Sequence, residues 1–112
     1  MLKVDIDKEN KRLQDKTPEE IIQWALALSE NRILSTSFGV YSATLLQALT
    51  KWSPHMKVIW CDTGYNDHKT YRYAKNIIKD LSLNMHIYAP KQTRGFIDET
   101  LGLPTVDDPK HE

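Results

Sequence analysis

The sequence has 112 residues, of which 40% are hydrophobic and 27% are charged, as in an ordinary globular domain. Fifteen basic side chains balance fifteen acidic ones, so bulk charge gives no attraction to nucleic acid or to an anionic membrane. One cysteine excludes an internal disulfide, and the N-terminal residues lack the apolar core of a signal peptide, so we expect a cytoplasmic protein.

The predicted elements begin after a polar N-terminal arm that covers residues 1–16. A helix is predicted from Thr17 to about Ser29, because the segment TPEE supplies an N-cap, a proline at the first helical position and the glutamate of a capping box. Residues 32–37 are predicted to form a short buried strand. A leucine-rich helix then begins near Val40 and ends before the Ser-Pro pair at residues 53–54.

The second half of the chain continues the same alternation. Strands are predicted at residues 57–61 and 85–88, with a helix between them that Asn66 or Asp67 caps and that an apolar stripe extends to Leu81.

After the third strand, Arg94-Gly95 is predicted to lie in a loop. A last short helix follows, which contains Phe96 and Leu101 and is ended by Gly102 and Pro104.

The alternation of strands with helices predicts an α/β fold in which a parallel sheet has helices on both faces. Residues 17–112 would form this single domain. Ligands of such sheets bind beyond the carboxyl ends of the strands. Two loops lie at those ends, one after the first strand and one after the second.

The first of these loops, Ser35–Ser42, reads STSFGVYS and has the composition of an anion-binding segment. The free N–H groups at the start of the following helix would face it, and its serines could add hydroxyl donors. Gly39 could take the positive φ that other residues resist. The alternative is an ordinary connector between strand and helix, since neither a Walker A loop nor a GxGxxG fingerprint is present.

The second loop belongs to the segment CDTGYND, which places an acid, a hydroxyl and a glycine at the exit of a strand. By itself it could be a simple turn before a capped helix.

Together the two loops resemble the phosphoadenylyl-sulfate (PAPS) reductase family, within the adenine-nucleotide alpha-hydrolase-like fold. The matching features are Ser-Phe-Gly in STSFGVYS, Asp-Thr-Gly-Tyr in CDTGYND and the later Thr-Tyr-Arg-Tyr, and the likeness extends through LSLNMHIYAP. The resemblance implies a three-layer Rossmann-like domain that binds an adenine nucleotide. It also implies an oxidoreductase of sulfate assimilation, whose complete form reduces PAPS to sulfite and adenosine bisphosphate.

The resemblance also implies roles for individual residues. STSFGVYS would be the family's form of a phosphate loop of general pattern SGGxDS, with Ser37 and Phe38 at the glycine positions. Tyr41 stands in place of the acidic residue, which argues against ATP pyrophosphatase chemistry. The predicted substrate-binding residues are Ser35, Ser37, Phe38, Gly39, Tyr41, Ser42, Asp62, Thr63, Gly64, Tyr65 and Arg94.

Reductases of this family attack the substrate sulfur with a cysteine in a Glu-Cys-Gly-type motif near the C-terminus, and these 112 residues contain no such motif. The one cysteine, Cys61, lies in a predicted apolar strand, where a thiol tends to stay protonated and inert. The histidines share no ligand-like spacing. No catalytic residue, metal site or cofactor is therefore predicted in this chain.

The implied partners are an adenine nucleotide (PAPS, adenylyl sulfate or the product) and, for the complete enzyme, thioredoxin or glutaredoxin. No membrane partner is predicted, and a homodimer is left open. Two alternatives to a portion of a reductase stay open as well. One is a stand-alone, non-catalytic module that binds an adenine nucleotide or a protein partner. The other is a sulfur-transfer protein acting on nucleic acid, against which the neutral charge counts.

Overall fold

A computed structural model describes residues 3–102 of the chain. In chain order its elements are α1 (Ile6–Leu13), α2 (Pro18–Ala27), β1 (Ile33–Ser35), α3 (Ser42–Trp52), β2 (Lys57–Cys61), α4 (His68–Asp80), β3 (Asn84–Tyr88) and α5 (Arg94–Leu101). The strands pair in parallel in the order β1-β2-β3, which confirms the predicted α/β class. None of these helices, all within residues 3–102, has the length and apolar character needed to span a bilayer.

The core lies on the sheet face that α3 and α4 cover. Val58 and Trp60 of β2 pack there with Leu46 of α3 and with Ala74 and Ile77 of α4. Successive parallel strands joined by crossovers of one hand place consecutive helices on the same face, so the two helices share this core.

The opposite face of the sheet is formed by the alternate residues of β2, among them Ile59 and Cys61. Cys61 is exposed, and so are Ile33 and Tyr88 on the neighbouring strands. The expectation that the apolar strand would enclose the Cys61 thiol is therefore wrong. It is the last residue of β2 and points away from the face that α3 and α4 cover, so its apolar sequence surroundings do not enclose it.

Helix ends follow signals that are visible in the sequence. The Thr17 hydroxyl accepts the Glu20 N–H at 3.2 Å, and the Glu20 carboxylate accepts the Thr17 N–H at 3.1 Å, so the predicted capping box is present. Asp67 is the residue that caps α4, since its side chain accepts the Lys69 N–H at 2.9 Å.

The start of α5 differs from the prediction. Arg94 and Gly95 lie in the first turn of this helix rather than in a loop. The turn is stabilised by Thr93, whose hydroxyl accepts the Phe96 N–H at 3.3 Å. Gly102 ends the helix with a φ of 80°, as predicted, whereas the predicted stop at Pro104 lies outside the described residues.

The predicted polar arm contains a helix that the sequence analysis did not predict. Asp5 caps α1 by accepting the Lys8 N–H at 3.1 Å. Acidic residues in its first turn and basic residues in its last turn suit the helix dipole. None of its residues is buried, so local capping and charge account for the helix without a packed apolar face. The division of the chain after residue 16 stays a prediction.

Candidate functional site

Two loops lie side by side at the carboxyl edge of the sheet. The first loop, Ser35–Ser42, follows β1, and the second loop, Asp62–Asp67, follows β2. The Thr36 N–H donates to the Ile59 carbonyl at 3.0 Å, so the first loop begins as a continuation of the sheet. Between the two strand ends is an open cavity of about 390 Å³, lined by Ser35, Thr36, Ser37, Ile59, Trp60 and Cys61.

Phe38 anchors the first loop in the core. Its side chain is only 4% exposed, and its ring meets Trp60 edge-on with the centroids 4.9 Å apart. Its backbone has a φ of 55°, a left-handed conformation that costs a residue with a side chain roughly 1–2 kcal/mol. The positive φ that we predicted for Gly39 therefore belongs to Phe38. Burial of the ring, and the Thr36 hydroxyl that accepts the Phe38 N–H at 3.1 Å, stabilise that conformation.

Gly39 contributes space. A Cβ built at this position would lie 3.8 Å from Ser37 Oγ and 3.9 Å from Ser42 Oγ. The two hydroxyls therefore converge on the volume that the missing side chain leaves open. Any other residue would place its Cβ in van der Waals contact with both hydroxyls.

The N-terminus of α3 lacks a side-chain cap. Tyr41 occupies the N-cap position and makes no capping hydrogen bond, whereas side chains cap the other four helices of residues 3–102. The Ser42 N–H donates to the Gly39 carbonyl at 3.0 Å, so the N–H groups that follow it in the first turn of α3, and the positive end of the helix dipole, are open to an anionic partner. Val40 and Tyr41 are 86% and 84% exposed beside this helix end.

Asp62 organises the second loop. Its Oδ1 atom accepts the Gly64 N–H at 2.9 Å, the Tyr71 hydroxyl at 2.7 Å and the Asn66 amide at 3.2 Å. Burial opposes ionisation, but these three hydrogen bonds outweigh it and hold the pKa of Asp62 below its ordinary value. Gly64 has a φ of 84°, as the turn requires. In this arrangement the carboxylate shapes the loop from within.

Thr63 has a similar local role, since its hydroxyl accepts the Tyr65 N–H at 3.3 Å. The loop is also attached to β3, because the Asp62 N–H donates to the Tyr88 carbonyl at 2.8 Å.

Tyr65 connects the second loop to α5. Its hydroxyl donates to Asp98 Oδ1 at 2.5 Å, and this hydrogen bond, with burial and the charge of Asp98, raises the pKa of Tyr65. The guanidinium carbon of Arg94 lies 4.8 Å from the centroid of the Tyr65 ring, and Arg94 Nε lies 3.6 Å from Asp98 Oδ2. Asp98 was not among the predicted site residues. Its position four residues after Arg94, typical of an ion pair on one helix face, was the available signal.

The structure brings most of the predicted substrate-binding residues to the carboxyl edge of the sheet. Aromatic rings link the first loop to the second. The Trp60 ring contacts Phe38 of the first loop, and its centroid lies 5.8 Å from that of Tyr71, whose hydroxyl donates to Asp62. Arg94 joins this edge through Tyr65 and Asp98, on the side of the second loop.

A further cavity of about 290 Å³ opens between the first loop and the start of α4. It is lined by Phe38, Gly39, Val40, Lys69, Thr70 and Tyr73. The three residues of α4 were not predicted as site residues, although Thr70 belongs to the Thr-Tyr-Arg-Tyr motif that carried the resemblance.

Comparison with known families gives one match over most of this region. Residues 31–106 match the family model described as the phosphoadenosine phosphosulfate reductase domain.

Curated phosphoadenosine 5'-phosphosulfate reductases are similar to the chain over most of its length. The protein of a Synechococcus strain is 42% identical over 80 residues, which are 70% of this chain and 34% of that protein. The protein of Alteromonas mediterranea is 34% identical over 107 residues, which are 90% of this chain and 43% of that protein. The chain thus spans well under half the length of these relatives.

A crystal structure of the PAPS reductase of Candida auris, in a phosphate complex, resembles this structure. The TM-score is 0.80 at 23% identity, and the match covers 99% of this chain and 56% of that one. At this identity the likeness concerns the fold alone. It confirms the predicted Rossmann-like α/β class.

Proposed function

The chain belongs to the phosphoadenosine phosphosulfate reductase family, and from this membership we propose that it is the nucleotide-binding portion of a PAPS reductase. The first loop receives the phosphate or phosphosulfate end of an adenine nucleotide. The second loop borders the ribose or the base. In the complete enzyme the reaction is the reduction of PAPS to sulfite and adenosine bisphosphate, as part of sulfate assimilation.

One observation carries this proposal: the N-terminus of α3, which has no side-chain cap, lies beside the space that Gly39 leaves next to two serine hydroxyls. A helix N-terminus stabilises an anion by roughly 0.3–2 kcal/mol. Each hydrogen bond to a charged group adds roughly 1.5–3 kcal/mol. The cost of immobilising the ligand is subtracted from these gains, so we expect weak binding, with dissociation constants between roughly millimolar and micromolar.

The predicted site residues divide into two kinds on this proposal. Ser37, Gly39 and Ser42 meet the ligand directly, because their atoms surround the open volume. Asp62 and Thr63 act by holding the second loop in shape, since their side chains already accept hydrogen bonds from its backbone.

The complete enzyme needs a thiol nucleophile besides this binding edge. A cysteine thiolate attacks the sulfur of the phosphosulfate, the sulfur–oxygen bond to the nucleotide breaks, and a cysteine S-sulfonate and adenosine bisphosphate form. Thioredoxin or glutaredoxin then supplies two electrons as a dithiol, and sulfite leaves as their disulfide forms. We place this chemistry in the cytoplasm, where such dithiols are kept reduced.

Calorimetric titration of the 112-residue chain with four nucleotides tests the proposal. PAPS, adenylyl sulfate and adenosine 3′,5′-bisphosphate should bind with dissociation constants between roughly millimolar and micromolar. ATP serves as the comparison. The proposal is wrong if only ATP binds, or if none of the four binds at low millimolar concentration.

A further inference from the structure

Helix α5 lies against the second loop with little apolar packing. None of its residues is buried, and Phe96, its largest apolar side chain, is exposed. The contacts that hold it there are polar. They join Asp98 to the Tyr65 hydroxyl and place the Arg94 guanidinium on the Tyr65 ring.

The contacts of Arg94 leave one edge of its guanidinium open. Asp98 faces Nε at 3.6 Å, and the Tyr65 ring covers one planar face. The two terminal nitrogens donate no hydrogen bond to any of residues 3–102, and the side chain is 54% exposed. Two parallel N–H groups on a fixed guanidinium fit a phosphate or sulfate oxygen pair.

The close approach of α5 to the second loop determines where the open edge of the Arg94 guanidinium lies. A Cβ built at Gly64 would be 3.9 Å from Arg94 Cβ. Arg94 is therefore held directly above the loop that the proposed function assigns to the nucleotide.

Resting on the proposed function, we infer that Asp98 is a positioning residue of the nucleotide site. Its carboxylate holds Tyr65 and Arg94 together, so that Arg94 presents its terminal nitrogens to an anionic group of the nucleotide. Asp98 itself does not touch the ligand.

The charge of Asp98 and its positioning role predict opposite changes in anion binding when the carboxylate is removed, which makes the inference testable. If Asp98 acted only as a negative charge near the site, its removal would tighten the binding of an anion. If it positions Arg94, its removal frees the guanidinium, and the binding of an anion weakens. The sign of the change separates the two roles.

The experiment is a double-mutant cycle on the 112-residue chain, with adenosine 3′,5′-bisphosphate as the charged ligand and adenosine as the uncharged one. Arg94→Gln should weaken bisphosphate binding about tenfold, as expected for loss of a charged hydrogen-bond donor, and leave adenosine binding unchanged. Asp98→Asn should weaken bisphosphate binding in the same selective way. In the Arg94→Gln background it should cause no further loss, and binding should be equal or slightly tighter, because only the loss of negative charge then remains. Asp98→Glu, which keeps the carboxylate, should recover part of the loss.

Glu99→Gln is the matched control. It removes the same charge from the neighbouring, exposed position of α5 and should leave bisphosphate binding equal or slightly tighter. Thermal unfolding shows whether each variant is folded.

If the unaltered chain binds the bisphosphate and Asp98→Asn binds it as well or better, the inference is wrong while the proposed function stands. An equal further loss in the Arg94→Gln background would also overturn it, because Asp98 would then not act through Arg94. If the unaltered chain does not bind the bisphosphate, the proposed function fails and the inference fails with it.

Discussion

In the proposed function, Gly39 contributes to the site through its missing side chain. The distances from its built Cβ to Ser37 Oγ and Ser42 Oγ, 3.8 and 3.9 Å, are ordinary van der Waals contacts. An alanine would therefore fit the folded loop and yet occupy the volume next to the two hydroxyls.

We predict that Gly39→Ala keeps the stability of the chain and lowers its affinity for adenosine bisphosphate about fivefold or more, by roughly 1 kcal/mol. The control is Gly95→Ala, whose Cβ meets nothing within 4 Å and which lies in α5. It should raise stability by roughly 0.5–1 kcal/mol and leave binding unchanged. Calorimetry and denaturant unfolding measure both effects. Equal binding by the two variants would remove Gly39 from the site.

The ionisation of Asp62 should make the stability of the chain depend on pH in the acid range. Its pKa in the folded chain is lower than the usual 3.8, because hydrogen bonds to its carboxylate outweigh burial. A carboxyl group whose pKa is lower in the folded chain than in the unfolded chain stabilises the fold at pH values above its unfolded-state pKa. This stabilisation is lost as the pH falls through its folded-state pKa.

The difference in melting temperature between the unaltered chain and Asp62→Asn should therefore be constant above the usual carboxyl range. It should shrink below pH 3.8. Tyr71→Phe removes one of the three donors and should move this transition to higher pH. A difference that does not vary with pH over the acid range would contradict the role given to the Asp62 hydrogen bonds.

Some features of the candidate site could be predicted from the sequence and others could not. Ser37 and Gly39 follow from the small, hydroxyl-rich composition of a strand-to-helix junction. The left-handed backbone of Phe38 could not be predicted, because the burial that stabilises it depends on Trp60, more than twenty positions later in the chain. Asp98 was missed because its hydroxyl partner, Tyr65, is distant in sequence.

Among the elements, the end of α4 shows how a local motif can hold a strained residue. Ser82 has a φ of 50° just after the helix. Its N–H donates to the Lys79 carbonyl, and the Leu83 N–H donates to the Ile78 carbonyl. These two bonds form a Schellman motif, in which glycine is the preferred residue at the left-handed position.

We predict that Ser82→Gly raises the free energy of unfolding by roughly 0.5–1 kcal/mol, since it relieves a left-handed strain of about 1–2 kcal/mol and adds some unfolded-state entropy. The control is Ser53→Gly at the end of α3, where a φ of −141° suits any residue. That variant should gain no stability. Urea unfolding measures both, and a loss of stability in Ser82→Gly would show that the serine side chain itself stabilises the turn.

Element boundaries were predictable where the signals are local. The capping box at Thr17 and the strand Lys57–Cys61 agree with the structure. Helix α1 was missed because its apolar residues form no stripe to bury, and its stability comes from charges and an Asp5 cap. Arg94-Gly95 was assigned to a loop because glycine interrupts helical patterns. The Thr93 cap overrides that preference.

At the scale of the whole molecule, the alternation of strands and helices was enough to predict a parallel sheet. It could not predict that Cys61 is exposed, because exposure depends on which sheet face α3 and α4 cover. The chain also spans 34–43% of the length of two similar curated reductases.

We predict that the 112-residue chain releases no sulfite from PAPS when reduced thioredoxin is supplied. Cys61 lies in a cavity whose other lining residues are serine, threonine, isoleucine and tryptophan. None of these is a base or a cation that would activate a thiol. Sulfite release is the measurement, with Cys61→Ser as the control. Release that disappears in Cys61→Ser would make Cys61 a nucleophile.

The central claim is that an adenine nucleotide binds at the carboxyl edge of the sheet. The most direct measurement is the change in backbone amide NMR shifts when adenosine 3′,5′-bisphosphate is added to the 112-residue chain. We predict the largest changes in the first loop and the first turn of α3, with smaller ones at Gly64 and Tyr65. The exposed basic face of α4, formed by Arg72, Lys75 and Lys79, should change little. The largest changes on that face, with an unaffected first loop, would contradict the claim and leave the first loop an ordinary connector.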